Sequence, residues 1–301
     1  EDRQNYEQSF TAYAEGNAIK RQMSGYDADK TSVRVDQLIE RCGENLWDGN
    51  GHLSDEAIFI IGLPRAGSTL LEQILASHSR VEATAELPFI GRIIGEMVAG
   101  RDRDDEPLYP RILSELTIEE RVARGQQYLD LAAGYRTGKS RFIDKLPNNW
   151  EHVALIKTIL PNATIIDARR HPMAACFANF KQLFARGQEF TYSLEDIGRY
   201  YADYLRLMSH WHNIFPEGLL TVKYEEVVDD LHTQVRQLLS HAKLEFEEAC
   251  LRYYEQDRAV RTASSEQVKQ PIYRDALQLW ECYQPHLASL ESIFRERGVP
   301  I

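Results

Sequence analysis

The chain has 301 residues, 43% hydrophobic and 27% charged, with a net charge of −11. That length and apolar content can bury one large domain with appendages, while the acidic balance excludes nonspecific nucleic-acid binding, which depends on Lys and Arg neutralising phosphates. No apolar run approaches the roughly 20 residues that cross a bilayer, Glu1-Asp2-Arg3-Gln4 lacks the charged-then-apolar look of a signal peptide, and Cys42, Cys176, Cys250 and Cys282 show no C-x-x-C spacing, a pattern that fits a reducing cytoplasm and argues against zinc.

In chain order, Tyr6, Phe10, Tyr13, Ala14 and Ala18 recur at helical spacing and predict an amphipathic helix over residues 1–22. The apolar run Ala57-Ile58-Phe59-Ile60-Ile61 predicts a buried strand, and Leu70-Leu71-Glu72-Gln73-Ile74-Leu75 a helix. Thr117-Ile118-Glu119-Glu120 reads as a capping box opening a long helix through about Ala133. Arg141 to Asp144 predicts a short strand, Asn149 to Leu160 a helix, and Ala163 to Asp167 another strand. Ser193-x-x-Asp196 opens a second long helix with the stripe Ile197, Tyr200, Tyr204, Met208, Trp211 and Phe215, and Leu219 to Val222 gives one more strand. Short apolar strands alternating with helices predict an α/β fold, a parallel sheet flanked by helices on both faces.

Between the first strand and its helix lies Gly62-Leu63-Pro64-Arg65-Ala66-Gly67-Ser68-Thr69. Glycines there let successive amides and the positive end of the helix converge on one anion. A nucleoside-triphosphate loop carries Lys where this chain has Ser68. A cradle without that Lys, but containing Arg65, suits a nucleotide with no triphosphate tail.

In open α/β sheets, ligands sit beyond the carboxyl ends of the strands, which directs attention to Arg65, Lys145, Arg169, Arg170 and Tyr224. Arg65, Lys145, Arg170 and Tyr224 converging on one crevice would hold a multiply anionic ligand, each charge-assisted bond contributing about 1.5–3 kcal/mol. Arg169 and Arg170 are adjacent and point opposite ways in an extended chain, so one of them is expected to be a surface charge, and Arg170 is taken as the site residue. Glu86 is the one carboxylate between Ala83 and Phe89; it reads equally well as a base or as a charge favouring the dipole of a helix started by Pro88. His210 and His212 lie i,i+2 on their helix and do not face each other, unlike a metal pair.

Over residues 57–285 these motifs together resemble the sulfotransferases that use 3′-phosphoadenosine-5′-phosphosulfate (PAPS), in the bacterial branch linked to tetratricopeptide repeats and related to tyrosylprotein sulfotransferases. Ile60 to Leu71 is similar to the family's loop for the 5′-phosphosulfate, Arg170-His171-Pro172 to the start of its 3′-phosphate motif, and Thr262 to Val268 with Pro271 and Trp280 to a segment closing over the nucleotide. The resemblance implies a P-loop-type fold and sulfuryl transfer from PAPS to an acceptor hydroxyl, such as a peptide tyrosine or a small molecule, without a metal. It implies Glu86 as base, Arg65 and Lys145 as neutralising cations and Ser264 as an assisting hydroxyl. Pro64, Arg65, Ala66, Gly67, Ser68, Thr69, Arg170, Tyr224, Ser264, Gln267 and Val268 are the implied nucleotide contacts. The cytosolic small-molecule branch places a His where this chain has Pro147, which favours the Glu-based chemistry. Two positions depart from the pattern: Ala178 stands where the family has a 3′-phosphate Ser, and Gln270 where the tyrosylprotein enzymes have Lys, so that Lys181, Lys269 and Arg170 are expected to compensate.

Residues 5–22 resemble the end of a tetratricopeptide repeat, which divides the chain into an N-terminal helical segment, 1–50, and a sulfotransferase domain, 51–301. Oligomeric state stays open, with a homodimer one option. The competing readings are a P-loop kinase using ATP and magnesium, and a noncatalytic nucleotide-binding or scaffold module.

Overall fold

A computed structural model describes residues 1–100, 108–256, 270 and 275–301. It is organised around five strands: β1 (Ala57–Gly62), β2 (Val81–Ala83), β3 (Arg141–Asp144), β4 (Thr164–Arg169) and β5 (Leu219–Lys223). They form one sheet in the order β2-β3-β1-β4-β5 with every pairing parallel. The sheet thus carries its central strand first in sequence, and the chain reverses its direction of travel at β1, where a doubly wound sheet opens its ligand crevice.

The helices are α1 (Tyr6–Ser24), α2 (Ala28–Arg41), α3 (Ser68–Ala76), α4 (Phe89–Val98), α5 (Leu108–Arg111), α6 (Ile118–Ala133), α7 (Val153–Ile159), α8 (Pro172–Phe180), α9 (Leu194–Ile214), α10 (Tyr224–Asp229), α11 (Leu231–His241), α12 (Asp275–Gln278) and α13 (Ala288–Arg297). Alternate residues of β1 point to opposite faces. Phe59 and Ile61 join Phe142 and Ile165 in a core with side chains of α2, α4, α6, α8, α9 and α13. Ile58 and Ile60 join Ile143, Ile166 and Val222 in the other, against α3 and α11. Every residue of β1 is buried, which is why the strand reads as an unbroken apolar run.

The capping box at Thr117 is present in full at the start of α6. The one at Ser193 is half present. Ser193 Oγ accepts from the amides of Glu195 and Asp196, but the Asp196 carboxylate turns away to Arg21 of α1, 2.6 Å off. The helix expected from Asn149 begins as a 3-10 turn over Pro147–His152 and becomes α-helical only at Val153.

α2 and β2 are among the elements that escaped the sequence reading. α2 is mostly polar, yet it inserts Val35 and Leu38, both fully buried, against the same core as α9. β2 is three residues with Glu82 at its centre, and that carboxylate is held by Arg136 Nε at 3.2 Å and by Thr137. α1 is fastened to the body by Asn17, whose buried Nδ2 donates to the Phe180 carbonyl at 2.6 Å. No helix among the described residues is long and apolar enough to cross a membrane.

Candidate active site

The register fixes where the site residues stand. Phe59 pairs with Asp144, Gly62 with Ala168, and Arg169 with Lys223, so the loop after β1 and the residues following β3, β4 and β5 share one edge of the sheet. Gly62 turns the chain out of β1 with φ +131, and Gly67, the N-cap of α3, has φ +97. Between them Arg65 has φ +62. A left-handed conformation costs a non-glycine residue about 1–2 kcal/mol, and such strain clusters at functional sites. Gly67 caps α3 without a side chain, and the chain then runs straight into the buried Ser68 and Thr69 of the first helical turn. First-turn amides at the positive end of a helix form a ready anion site.

Arg170 and Tyr224 join this loop directly. Arg170 Nη1 donates to the Arg65 carbonyl at 3.5 Å, and its guanidinium lies 5.2 Å from the centre of the Tyr224 ring. That ring packs on Gly67, where an added Cβ would stand 2.8 Å from Tyr224 Cδ2. Tyr201 of α9 donates its hydroxyl to the Arg170 carbonyl at 3.1 Å and so holds the β4 tip. Arg65, Gly67, Arg170 and Tyr224 are therefore one cluster.

Beside it, at the tips of β2 and β3, Lys145 Nζ donates to Glu86 Oε1 at 2.5 Å. The two partners sit differently: the Lys145 side chain is 4% exposed and that of Glu86 is 53% exposed. Glu86 does not serve as a helix-dipole charge. α4 begins three residues later, and its carboxylate faces Lys145 instead. Thr84 donates its amide (3.2 Å) and hydroxyl (2.7 Å) to the Ile143 carbonyl, and Lys145 returns its amide to the Ala85 carbonyl at 3.3 Å. The segment thus runs beside β3 and delivers Glu86 to the tip of the lysine.

Arg169 corrects one expectation. It is not a surface charge: its Nη2 pairs with Asp167 Oδ2 at 2.5 Å, and its guanidinium lies 5.7 Å from the Tyr204 ring centre. Asp167 is fully buried and also accepts from the hydroxyls of Thr221 (3.1 Å) and Tyr204. Burial alone would lower the arginine's pKa, and the Asp167 carboxylate reverses this and raises it. Arg169 locks the β4 tip while Arg170 faces the loop. Lys181 likewise lies apart from the cluster, at the far end of α8 from Arg170, where Nζ pairs with the Glu1 carboxylate at 2.6 Å. His210 and His212 bond to different partners, the Cys42 carbonyl and Thr221 Oγ1.

Three residues at this edge had no sequence signal. Asn179, fully buried, donates Nδ2 to the Pro64 carbonyl at 2.6 Å and braces the loop from α8. Glu225 accepts from the His171 amide at 2.9 Å, tying β4 to β5. Asp144 lies buried beneath the Glu86 segment. The His171 ring stacks on Trp280 at 5.1 Å, and burial holds its imidazole below the ordinary range. Trp280 therefore reaches the cluster from the C-terminal part of the chain. Thr262, Ser264, Gln267, Val268, Lys269 and Pro271 lie outside the described residues.

The sequence profile of the sulfotransferase family matches residues 57–248, which run from the first residue of β1 to the start of the 3-10 turn after α11. The chain belongs to the sulfotransferase family. A protein of Aquifex aeolicus with no assigned function is 31% identical over 98% of this chain and 40% of its own length. Protein-tyrosine sulfotransferase A of Caenorhabditis elegans is 22% identical over 74% of this chain and 60% of its own length. This sulfotransferase chain thus spans only part of the length of the curated relatives it matches. Among solved structures, the sulfotransferase domain of the Synechococcus PCC 7002 olefin synthase aligns with a TM-score of 0.56 at 20% identity, covering 82% of this chain and 97% of that one. The sulfotransferase domain from the curacin biosynthetic pathway aligns with a TM-score of 0.55 at 17% identity, covering 83% and 100%. At these identities the two structures establish the shared fold.

Proposed function

We propose that this chain transfers the sulfuryl group of PAPS to an acceptor hydroxyl, and that the Glu86–Lys145 pair beside the Lys-less glycine loop is the observation that carries this reading. The residues present suit such a nucleotide. The strained, glycine-flanked loop at the head of α3 offers amides to the 5′-phosphosulfate, and Arg170 with Tyr224 offers a cation and a ring for the 3′-phosphate side. PAPS supplies the activated sulfuryl group. Glu86, half exposed at the tip of the pair, accepts the proton of the acceptor hydroxyl, for which it must come within about 2.6–3.2 Å in the productive complex. Lys145 orients that carboxylate and, with Arg65 and the loop amides, stabilises charge gathering on the transferred oxygens. Each such preorganised donor is worth about 100- to 1000-fold in rate. Ser264, Gln267 and Val268 complete the assignment by resemblance.

Of acceptors, a peptide tyrosine is the first to test, because the Caenorhabditis elegans relative is a protein-tyrosine sulfotransferase and this chain likewise has a Glu at the base position. Ala178 stands on α8 beside Asn179, and Gln270 is exposed with its carbonyl accepting from Tyr253. Neither replaces the family's 3′-phosphate contacts, and Arg170 carries that role. The cysteines Cys42, Cys176, Cys250 and Cys282 are all free, which suits the cytoplasm.

Thermal unfolding tests the nucleotide assignment. A ligand at 100 times its dissociation constant stabilises by about 2.7 kcal/mol, so 3′,5′-ADP is expected to raise the melting temperature and ATP with magnesium to leave it unchanged. A shift with ATP and magnesium alone would refute the proposal. Transfer of radiolabelled sulfate from PAPS into a tyrosine peptide library then tests the acceptor.

We also propose that residues 1–50 continue into further helical repeats in a longer polypeptide. The support is the outer stripe of α1. Ala12, Gly16, Ile19 and Met23 line a groove of about 370 Å³ with Leu183, and Ile19 and Met23 are 63% and 76% exposed. Peroxide oxidation of Met23 is expected to be at least about tenfold slower in such a polypeptide than in residues 1–301 alone, as burial in a helix contact requires; equal rates would dismiss the packing.

A further inference from the structure

We propose that Asp144 is a positioning residue for the Glu86–Lys145 pair: its buried carboxylate pins the backbone that carries Glu86 onto the strand tip that carries Lys145. Only the kinetic consequences of this inference rest on the sulfuryl-transfer reading above.

Asp144 is the last residue of β3 and fully buried. Its Oδ1 accepts from the Leu87 amide at 3.2 Å, one residue past Glu86, and its Oδ2 accepts from the Tyr128 hydroxyl of α6 at 2.7 Å. Tyr128 is itself fully buried. The Thr84 and Ala85 bonds to β3 secure the near side of Glu86, and Asp144 secures the far side, so the residue is held between two anchored neighbours. Without the second anchor, Glu86 would stand at the free end of a segment leading into α4.

A carboxylate is a costly way to hold one amide in an apolar core, and the cost is visible. Burial pushes the Asp144 carboxyl up to about 7, against the pull of the Tyr128 and Leu87 hydrogen bonds and of Lys145, while Glu86 pushes it further up. Those are the groups facing it: Lys145, the residue that follows it past the end of β3, Glu86 and the Leu87 amide from the segment between β2 and α4, and Tyr128 from α6. Protonation turns the charge-assisted bond to Leu87 into a neutral one of about half the strength. The folded-state value lies above the ordinary 3.8, so Asp144 contributes stability fully below about pH 4 and that contribution is lost as pH rises through about 7. The ionised form that grips the Leu87 amide best is therefore the form that favours folding least.

The test compares the parent with Asp144→Asn and Tyr128→Phe. Asp144→Asn is expected to be at least as stable as the parent at pH 8, to bind 3′,5′-ADP and PAPS unchanged, and to lose about 10- to 100-fold in kcat, the scale of a small misplacement of a reacting group. The acid limb of the kcat profile, centred near pH 7 in the parent, disappears in it. In Tyr128→Phe, removal of a bond that lowers the Asp144 pKa moves that limb to higher pH. Amide exchange over residues 84–87 gives a reading that needs no turnover: protection in the parent increases through pH 7 beyond the intrinsic trend, and Asp144→Asn shows no such step. Parent-like kcat and pH profile in Asp144→Asn, or the same exchange step in both proteins, overturns the inference. An exchange step in a parent protein that transfers no sulfate upholds the anchor and counts against the sulfuryl-transfer reading instead.

Discussion

A Glu86→Gln protein is expected to bind 3′,5′-ADP as the parent does and to turn over about 100- to 10,000-fold more slowly, the range associated with loss of a positioned general base. The amide keeps the shape of the side chain and an oxygen for Lys145 Nζ, so the lysine, 4% exposed, is not stranded without an acceptor. What the substitution removes is the capacity to take a proton at the half-exposed end of the pair. Because Glu86 lies one residue from an anchored amide rather than in the glycine loop, nucleotide affinity is not expected to change. Steady-state kinetics with PAPS and a hydroxyl acceptor, together with calorimetric titration of 3′,5′-ADP, separates the two effects. Turnover within about threefold of the parent would remove Glu86 from the chemistry.

The largest effect on stability is expected at Gly62. An alanine there must adopt φ +131, and its Cβ would stand 2.3 Å from the Ala168 carbonyl oxygen and 3.3 Å from the carbonyl carbon. Gly62 and Ala168 are register partners, so relief requires the ends of β1 and β4 to part. The strain falls on strand ends that carry the glycine loop and the Asp167–Arg169 pair. A penalty of about 4 kcal/mol or more is expected, in the exceptional class reserved for backbone and packing conflicts. Urea unfolding of Gly62→Ala measures it, and a loss below about 1 kcal/mol would show that the sheet edge yields easily.

Much of the fold was legible because the sheet is covered on both faces. β1, β3, β4 and β5 each present a short apolar run, and the helices between them carry caps or stripes that read directly. β2 was not legible, since a three-residue strand centred on Glu82 has no apolar signature; its carboxylate is satisfied by Arg136 and Thr137, more than 50 residues away in sequence. α2 was missed because so few of its residues are apolar, even though those few recur with strong helical periodicity. At the site, the glycine loop is a local device and showed itself locally. The role of Glu86 could not be decided from its surroundings in sequence, because what distinguishes it is a contact with Lys145, 59 positions on. Asp144 read as the polar end of a strand, and Asn179 as one residue of a helix. Whether a polar side chain at such a place is solvated or aimed inward depends on what the other strands bring to it. The adjacent arginines illustrate the same limit: alternation predicted that they diverge, but not that Arg169 would find a buried carboxylate.

The placement of β1 in the middle of the sheet has a consequence for the order in which the molecule matures on the ribosome. Its two neighbours are β3 and β4, which begin at Arg141 and Thr164, so the strand emerges long before anything can pair with it. Pairing across such separations closes large loops and is slow. The glycine turn is therefore synthesised well before the strands that complete its surroundings. A nascent chain halted before Arg141 holds the glycine turn but neither Lys145 nor Arg170, and the nucleotide proposed above would begin to favour the native state only once translation has passed β4.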